Sequence, residues 1–259
     1  MAARRWCAEL STEPTQVALV TGAARGIGLA TLEALGAAGY STVAVDIDPT
    51  VLDVAARLGA LAVRADVGDE AAVVAAVRTA VQERGRLDLV VNNAGVARHG
   101  PIESLESADL DRMWRVNVRG VVLLCREAFR VMPPTGGGTI INVVSSAGLR
   151  GEPGESVYCA TKFAVRGLTE ALAEEGRLVS IRVAAVYPAG VDTGFWDTAV
   201  RGGFPGDAAG SFLQAEDVAR EVVGIATRPA HVHLEAVAMR SIRDTDTERT
   251  RMKLARFGR

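Results

Sequence analysis

The 259-residue chain is poor in what would mark it as secreted, membrane-bound or charge-driven. It has three cysteines, Cys7, Cys125 and Cys159. An odd, scattered set suits neither a disulfide framework nor a zinc site, and reads as free thiols in a reducing compartment. No apolar run approaches the ~18 residues that a membrane-spanning helix needs. Arg4 and Arg5 near the start have no apolar stretch behind them, so no secretory signal is expected. Twenty-nine basic against thirty-one acidic residues leave a net charge of −2, which gives no global reason to seek nucleic acid or an anionic membrane. There is no low-complexity segment. A cytoplasmic, globular chain is expected, and 259 residues can bury a core without covalent help.

What is present is a rhythm. Short β-branched runs at Val17–Val20, Thr42–Asp46, Leu61–Ala65, Leu87–Val91, Thr139–Val144, Ser180–Tyr187 and Val232–Met239 alternate with amphipathic stretches near 26–38, 48–58, 69–84, 107–131, 155–177 and 215–227. The strand runs are almost continuously apolar, which predicts burial on both faces, as in a parallel sheet between helices. Strand–helix alternation along the whole chain predicts a doubly wound α/β fold. The expected organisation is an N-terminal arm over 1–15, one domain over 16–239, and a tail over 240–259 with seven basic and three acidic residues.

The first strand runs into T-G-A-A-R-G-I-G at residues 21–28, and a helix follows. Gly22, Gly26 and Gly28 permit a tight turn and let the backbone approach a pyrophosphate, while the helix N-terminus offers free N–H groups to it. Arg25 and Ile27 belong to the same turn. The second strand ends at Asp46, 18 residues beyond Gly28. A carboxylate there binds the ribose hydroxyls of NAD and repels the 2′-phosphate of NADP. Arg25 argues for NADP, since a guanidinium beside the ribose pairs with that phosphate. The balance favours NAD(H) over NADP(H).

Five separated motifs now stand in one order: T-G-A-A-R-G-I-G, Asp66-Val67, Asn92-Asn93-Ala94-Gly95, Ser145 with Y-C-A-T-K at 158–162, and P-A-G-V-D-T at 188–193. In this the chain resembles the short-chain dehydrogenase/reductase family, in its single-domain branch, over about residues 15–240. The resemblance implies a Rossmann-like, seven-stranded parallel sheet in the order 3-2-1-4-5-6-7. It implies that Asp66 and Val67 contact the adenine, and that Asn92, Asn93, Ala94 and Gly95 support the sheet end and the nicotinamide ribose. Pro188, Val191 and Thr193 are implied to hold the nicotinamide. Ala189 stands where the family usually has glycine. A lid over about 193–214 and a homodimer or homotetramer, often through the helices at 107–131 and 155–177, are also implied.

Tyr158 and Lys162, four residues apart on a helix, share one face. A nearby ammonium favours the phenolate and tunes tyrosine toward acid/base work. Ser145 lies at the C-terminal end of a strand, 13 residues before Tyr158, where open α/β sheets bind ligands, and its hydroxyl can stabilise a developing alkoxide. Ser146 is the neighbouring candidate. The resemblance adds Asn117, as holder of a water that connects the lysine to solvent. The expected activity is hydride transfer between NAD(H) and a secondary alcohol or ketone. Two alternatives stay open: an NADP(H)-dependent carbonyl reductase, and a non-catalytic dinucleotide-binding sensor on the same fold. Phe195, Trp196, Phe204 and Phe212 suggest an apolar pocket wall or ordinary packing. Arg98, His99, Arg150 and Glu152 border the cleft or are solvated loop charges. His231, His233 and Glu235 alternate on a strand pattern, which reads as a solvent-facing strand face more readily than as a metal site.

Overall fold

The computed structural model describes residues 15–196 and 211–243. The expected arm, most of the expected lid, most of the tail, Cys7 and Phe204 lie outside them. Seven strands form one parallel sheet: β1 (Val17–Thr21), β2 (Ser41–Asp46), β3 (Leu61–Arg64), β4 (Leu89–Asn92), β5 (Gly138–Val143), β6 (Ile181–Pro188) and β7 (Ala236–Met239). Their order is β3-β2-β1-β4-β5-β6-β7. The order reverses between β1 and β4, and that crevice at the strands' C-terminal ends is where doubly wound folds bind ligands.

Alternate strand residues feed two separate cores. Val17, Leu19, Val43 and Ile140 face α3 (Glu70–Arg84), α5 (Gly120–Val131) and α6 (Ser156–Arg177). Ala18, Val20, Ala44 and Ile141 face α1 (Gly26–Ala37), α2 (Val51–Leu58) and a helix we number α7 (Ala215–Ala226). Burial on both faces holds for the central strands and fails at the edges. The flanks β3 and β7 are only partly covered, since each has a neighbour on one side alone. The last strand is also shorter than its apolar pattern predicts. Residues 231–235 form a loop, and His233 Nε2 lies 2.9 Å from the Val183 carbonyl instead of presenting a strand face with His231 and Glu235.

The predicted helix at 107–131 is interrupted. α4 (Ser107–Trp114) passes into a π-turn at Arg115–Arg119 before α5 begins. Such wide turns occur often at functional sites, and this one carries Asn117.

Candidate active site

A cavity of about 340 Å³ opens along the C-terminal strand ends. It is lined by residues of the glycine turn, by Asp46, Asp66 and Val67, by Asn93, Ala94 and Gly95, and by Ser145, Tyr158, Lys162, Pro188, Val191 and Thr193. Sequence motifs spread over 172 residues (22 to 193, both ends counted) therefore meet on one surface.

The glycine turn is built as its sequence requires. Gly22 and Gly26 take positive φ angles of 66° and 56°. A Cβ on Gly28 would lie 2.0 Å from the Gly22 carbonyl oxygen, so helix and turn are in direct backbone contact there. The Thr21 hydroxyl oxygen accepts from the backbone N–H groups of Asn93 and Ala94, at 3.1 Å each. Asn93 Nδ2 in turn donates to the carbonyls of Thr21 and Gly22. The β1 and β4 ends are thus stapled together at the switch point. Thr193 packs over the turn, its methyl group 3.3 Å from where a Gly26 Cβ would be. Ala189 does not disturb the 188–193 loop: its N–H donates to the Met239 carbonyl, the Asp192 N–H donates to the Leu213 carbonyl, and the Leu213 N–H donates to the Gly190 carbonyl.

Asp46 holds its carboxylate at the end of β2, accepting from the Ala24 N–H at 3.0 Å and the Asp48 N–H at 2.9 Å. Asp66 accepts from the Gly68 N–H and from Arg115 Nη1 at 2.6 Å. Partial burial acts to raise the Asp66 pKa, but the Arg115 and Gly68 hydrogen bonds overcome it and hold the carboxyl below its ordinary range. Asn92 turns away from the cavity. Its amide donates to Asn142 Oδ1 at 2.8 Å, and Asn142 donates to the Thr169 hydroxyl, a buried polar chain that ties β4 and β5 to α6.

Ser145 and Tyr158 both line the cavity, with the Ser145 side chain close enough to act on the Tyr158 hydroxyl. The Ser145 backbone has φ 150° and ψ 157°, a region that costs a residue with a Cβ about 1–3 kcal/mol and that clusters at functional sites. Ser146 opens a 3₁₀ turn and also lines the cavity. Tyr158 and Lys162 are buried on one face of α6, with the lysine Nζ 5.6 Å from the tyrosine ring centre. Lys162 Nζ donates to the Val143 carbonyl at 3.2 Å.

The electrostatics differ from the sequence expectation. Burial pushes the Tyr158 hydroxyl above its ordinary value; the Glu155 charge adds to this and the Ser145 hydrogen bond opposes it. Burial also lowers Lys162 to about 8. The protein alone therefore does not favour the phenolate, because the same dryness that would strengthen a charge–charge attraction first penalises both charged forms. Asn117 is committed to protein partners. Its Oδ1 accepts from the Val96 N–H, and its Nδ2 donates to the Val96 carbonyl and the Thr161 hydroxyl. It fixes the loop after β4 against α6, one residue away from Lys162.

Comparison with known proteins decides the family. A family model for the short chain dehydrogenases matches residues 16–202. The chain belongs to the short-chain dehydrogenase family. A cis-4-hydroxycyclohexanecarboxylate dehydrogenase of Sinomonas cyclohexanicum is 38% identical over 229 residues, 86% of this chain and 88% of the relative. Among solved structures, a 3-ketoacyl-(acyl-carrier-protein) reductase of Brucella melitensis complexed with NADH superposes with a TM-score of 0.82 at 32% identity, covering 89% of this chain and 98% of that one. A serine dehydrogenase complexed with NADP⁺ superposes with a TM-score of 0.82 at 28% identity, covering 89% and 96%. This member is an NAD(P)-dependent oxidoreductase acting between an alcohol and a carbonyl.

Glu155 is the cavity residue that sequence reasoning passed over. It stands three positions before Tyr158, one helical turn away, and that spacing was the available signal. It is buried, 3.8 Å from His99 Nδ1, and both line the cavity. The His99 ring lies 5.8 Å from that of Tyr158 and 5.7 Å from that of Trp196. Phe195 packs against Tyr158 and Trp196, and the two aromatics Phe195 and Trp196 line the cavity, while Phe212 is buried behind Trp196 as ordinary packing. Arg150 and Glu152 pair with each other at 2.8 Å. Cys159 packs with Met113, Ala147 and Tyr158, and burial pushes Cys125 up to about 12, so neither environment is that of a reactive thiol.

Proposed function

We propose that Tyr158 is the general acid/base of alcohol–ketone interconversion, that Ser145 binds the reacting oxygen, that Lys162 supports the tyrosine, and that NAD(H) is preferred over NADP(H). The observation that carries the reading is the meeting of Ser145, Tyr158 and Lys162 in one cleft with the glycine turn, with the Tyr158 hydroxyl under the influence of the Ser145 side chain. The glycine turn fits a dinucleotide: Gly22 and Gly26 adopt φ angles that side chains disfavour, and Gly28 leaves no room for a Cβ. When bound, that cofactor supplies the hydride or accepts it, and its oxidised ring brings a positive charge.

The chain's own residues handle the proton. In reduction, the Tyr158 hydroxyl gives its proton to the carbonyl oxygen while the Ser145 hydroxyl donates to that oxygen and steadies its charge. In oxidation, the same two groups receive the carbinol, and the phenolate takes its proton. Lys162, held by the Val143 carbonyl, limits the cost of that phenolate. Asn117 acts as a positioning residue, through Val96 and Thr161. Gly22, Arg25, Gly26, Ile27 and Gly28 cradle the pyrophosphate, Asp66 and Val67 border the adenine, and Asn93, Ala94, Gly95, Pro188, Val191 and Thr193 surround the nicotinamide end. Asp46 supports NAD, because its carboxylate is anchored by two backbone N–H groups at the end of β2. Arg25 is exposed beside it and supports NADP as the second reading. The substrate is a secondary alcohol, as in the ring-alcohol relative. Exposed apolar side chains on α5 and α6, such as Val122 and Phe163, support self-association into a dimer or tetramer. Cys125 and Cys159, neither of them in a disulfide, support a cytoplasmic location.

The test is Tyr158→Phe, assayed with a panel of secondary alcohols and ketones. NADH binding is expected to persist while kcat falls by about 10³-fold or more. Turnover within a few-fold of the unaltered protein would overturn the assignment, and a sensor would show no Tyr158-dependent turnover at all.

A further inference from the structure

Around Tyr158 the cavity lining includes the apolar and aromatic side chains of Val96, Phe195 and Trp196. Among these side chains the fold sets a buried ionisable pair, His99 and Glu155, whose side chains are 9% and 7% exposed. Their placement is built by several bonds. The Gly100 N–H donates to the Gly154 carbonyl at 2.8 Å, locking the loop after β4 to the loop that leads into α6. The Cys159 N–H donates to the Glu155 carbonyl at 2.7 Å and starts α6. The imidazole is then held between the Tyr158 and Trp196 rings. Apolar packing would be cheaper at both positions, since buried ionisable groups stabilise a fold only weakly.

We propose that His99 and Glu155 are specificity-determining residues that bind a second hydroxyl of the substrate, carried close to the carbinol that Ser145 and Tyr158 hold. The substrate class is thus a neutral polyhydric alcohol, or the hydroxyketone derived from it. The inference rests on the reading of Tyr158 as the acid/base. Three features carry it. The imidazole stands beside the reacting tyrosine, so a group it binds lies within a few bonds of the reacting carbon. A histidine–carboxylate pair can both donate to and accept from a hydroxyl, as a single charge cannot. Of the carboxylates near this pair, Glu152 bonds Arg150, and Asp109 pairs with Arg98, next to His99 in the chain, so neither stands as an uncompensated charge toward a ligand. Arg112, exposed on α4, also lines the cleft and would favour a carboxylate instead, so an anionic substrate is an arm of the test. A site built to bond a hydroxyl discriminates strongly against the analogue without it, whereas an apolar pocket cannot.

The experiment compares kcat/KM for cyclohexanol, cyclohexane-1,2-diol, cyclohexane-1,3-diol and cis-4-hydroxycyclohexanecarboxylate, with saturating NAD⁺. One diol is expected to exceed cyclohexanol by about 100-fold. In His99→Phe the diol-to-cyclohexanol ratio is expected to fall to about one, and in Glu155→Gln to an intermediate value. NADH binding by fluorescence confirms that each variant is folded. Equal turnover of cyclohexanol and both diols overturns the proposal, as does a ratio unchanged in both variants. Preference for the carboxylate overturns it too and points to Arg112. These outcomes leave the acid/base assignment standing, whereas Tyr158→Phe that still turns over the alcohols removes that assignment.

Discussion

Ser145 shows function and stability pulling apart within one residue. Its hydroxyl acts on Tyr158, while its backbone sits at φ 150°, a conformation that glycine adopts far more readily. Ser145→Gly and Ser145→Ala should both lose most turnover. The glycine variant should nonetheless melt higher than the alanine variant, by an amount on the order of 1 kcal/mol, because only it relieves the backbone. Thermal melts of the pair, both without cofactor, check this. Lys162 makes the same point through charge. Its pKa falls from 10.5 to about 8 on folding. Between those values the unfolded chain holds a proton that the folded chain has released, so stability rises with pH through that window and the cost of burial is fully present below about 8. Lys162→Met should therefore stabilise the cofactor-free protein near neutral pH by about 1–2 kcal/mol, less than the full cost because the Val143 carbonyl loses its donor. The melting temperature of the variant should gain nothing at high pH, and turnover should be lost. A variant that melts lower at pH 7 would contradict this account of the lysine.

The elements carry the precision that the residues need. The sheet's last connection depends on Arg182 in β6, whose Nη1 donates to the carbonyls of Arg228, Pro229 and Val232, while Nε and Nη2 donate to the Thr139 hydroxyl. One guanidinium thus ties β5, β6 and the loop after α7 together, and sets where β7 begins. Arg182→Leu should destabilise by about 1–3 kcal/mol, the usual cost of leaving hydrogen-bonding groups without partners. Because the Ala189 N–H bonds the Met239 carbonyl of β7, the variant should also weaken NADH binding. Urea melts and a fluorescence titration read the two effects. The π-turn at Arg115–Arg119 belongs to this scale as well. Its width follows from what surrounds Asn117, namely Val96 and Thr161, and an apolar repeat of helical period cannot announce it.

Across the whole molecule the cleft spans the two halves of the sheet, with Asp46 on one side of the β1–β4 crevice and Ser145 on the other. A ligand that bridges the halves stabilises the native fold by mass action. Paired titrations with NADH and NADPH should show tighter binding of NADH by roughly tenfold or more, and a larger rise in melting temperature at equal concentration, if the Asp46 carboxylate reads the ribose. Tighter binding of NADPH would make Arg25 the reader and carbonyl reduction the favoured direction.

The amino-acid order alone determined the strand–helix alternation, the parallel sheet, the glycine turn, and the Ser145, Tyr158 and Lys162 set. These depend on local periodicity and on spacing along the chain, which need no third dimension. It also carried Asp46 to the end of β2 and Thr193 to the cleft beside Gly26 through motifs of fixed offset. Only the tertiary structure decided the positive-φ backbone on which Ser145 approaches Tyr158, and that Asn92 serves a buried chain through Asn142 and Thr169 while Asn93 staples the cleft. The tertiary structure likewise delayed the start of β7 to Ala236 and brought His99 from one loop against Glu155 from another. The reason is common to all of these. Each depends on which side chain meets a partner far away in the chain, and on how much water remains around the pair. Burial also reversed the expected effect on Tyr158, because desolvation is a property of the assembled cleft and is written in no local pattern of residues.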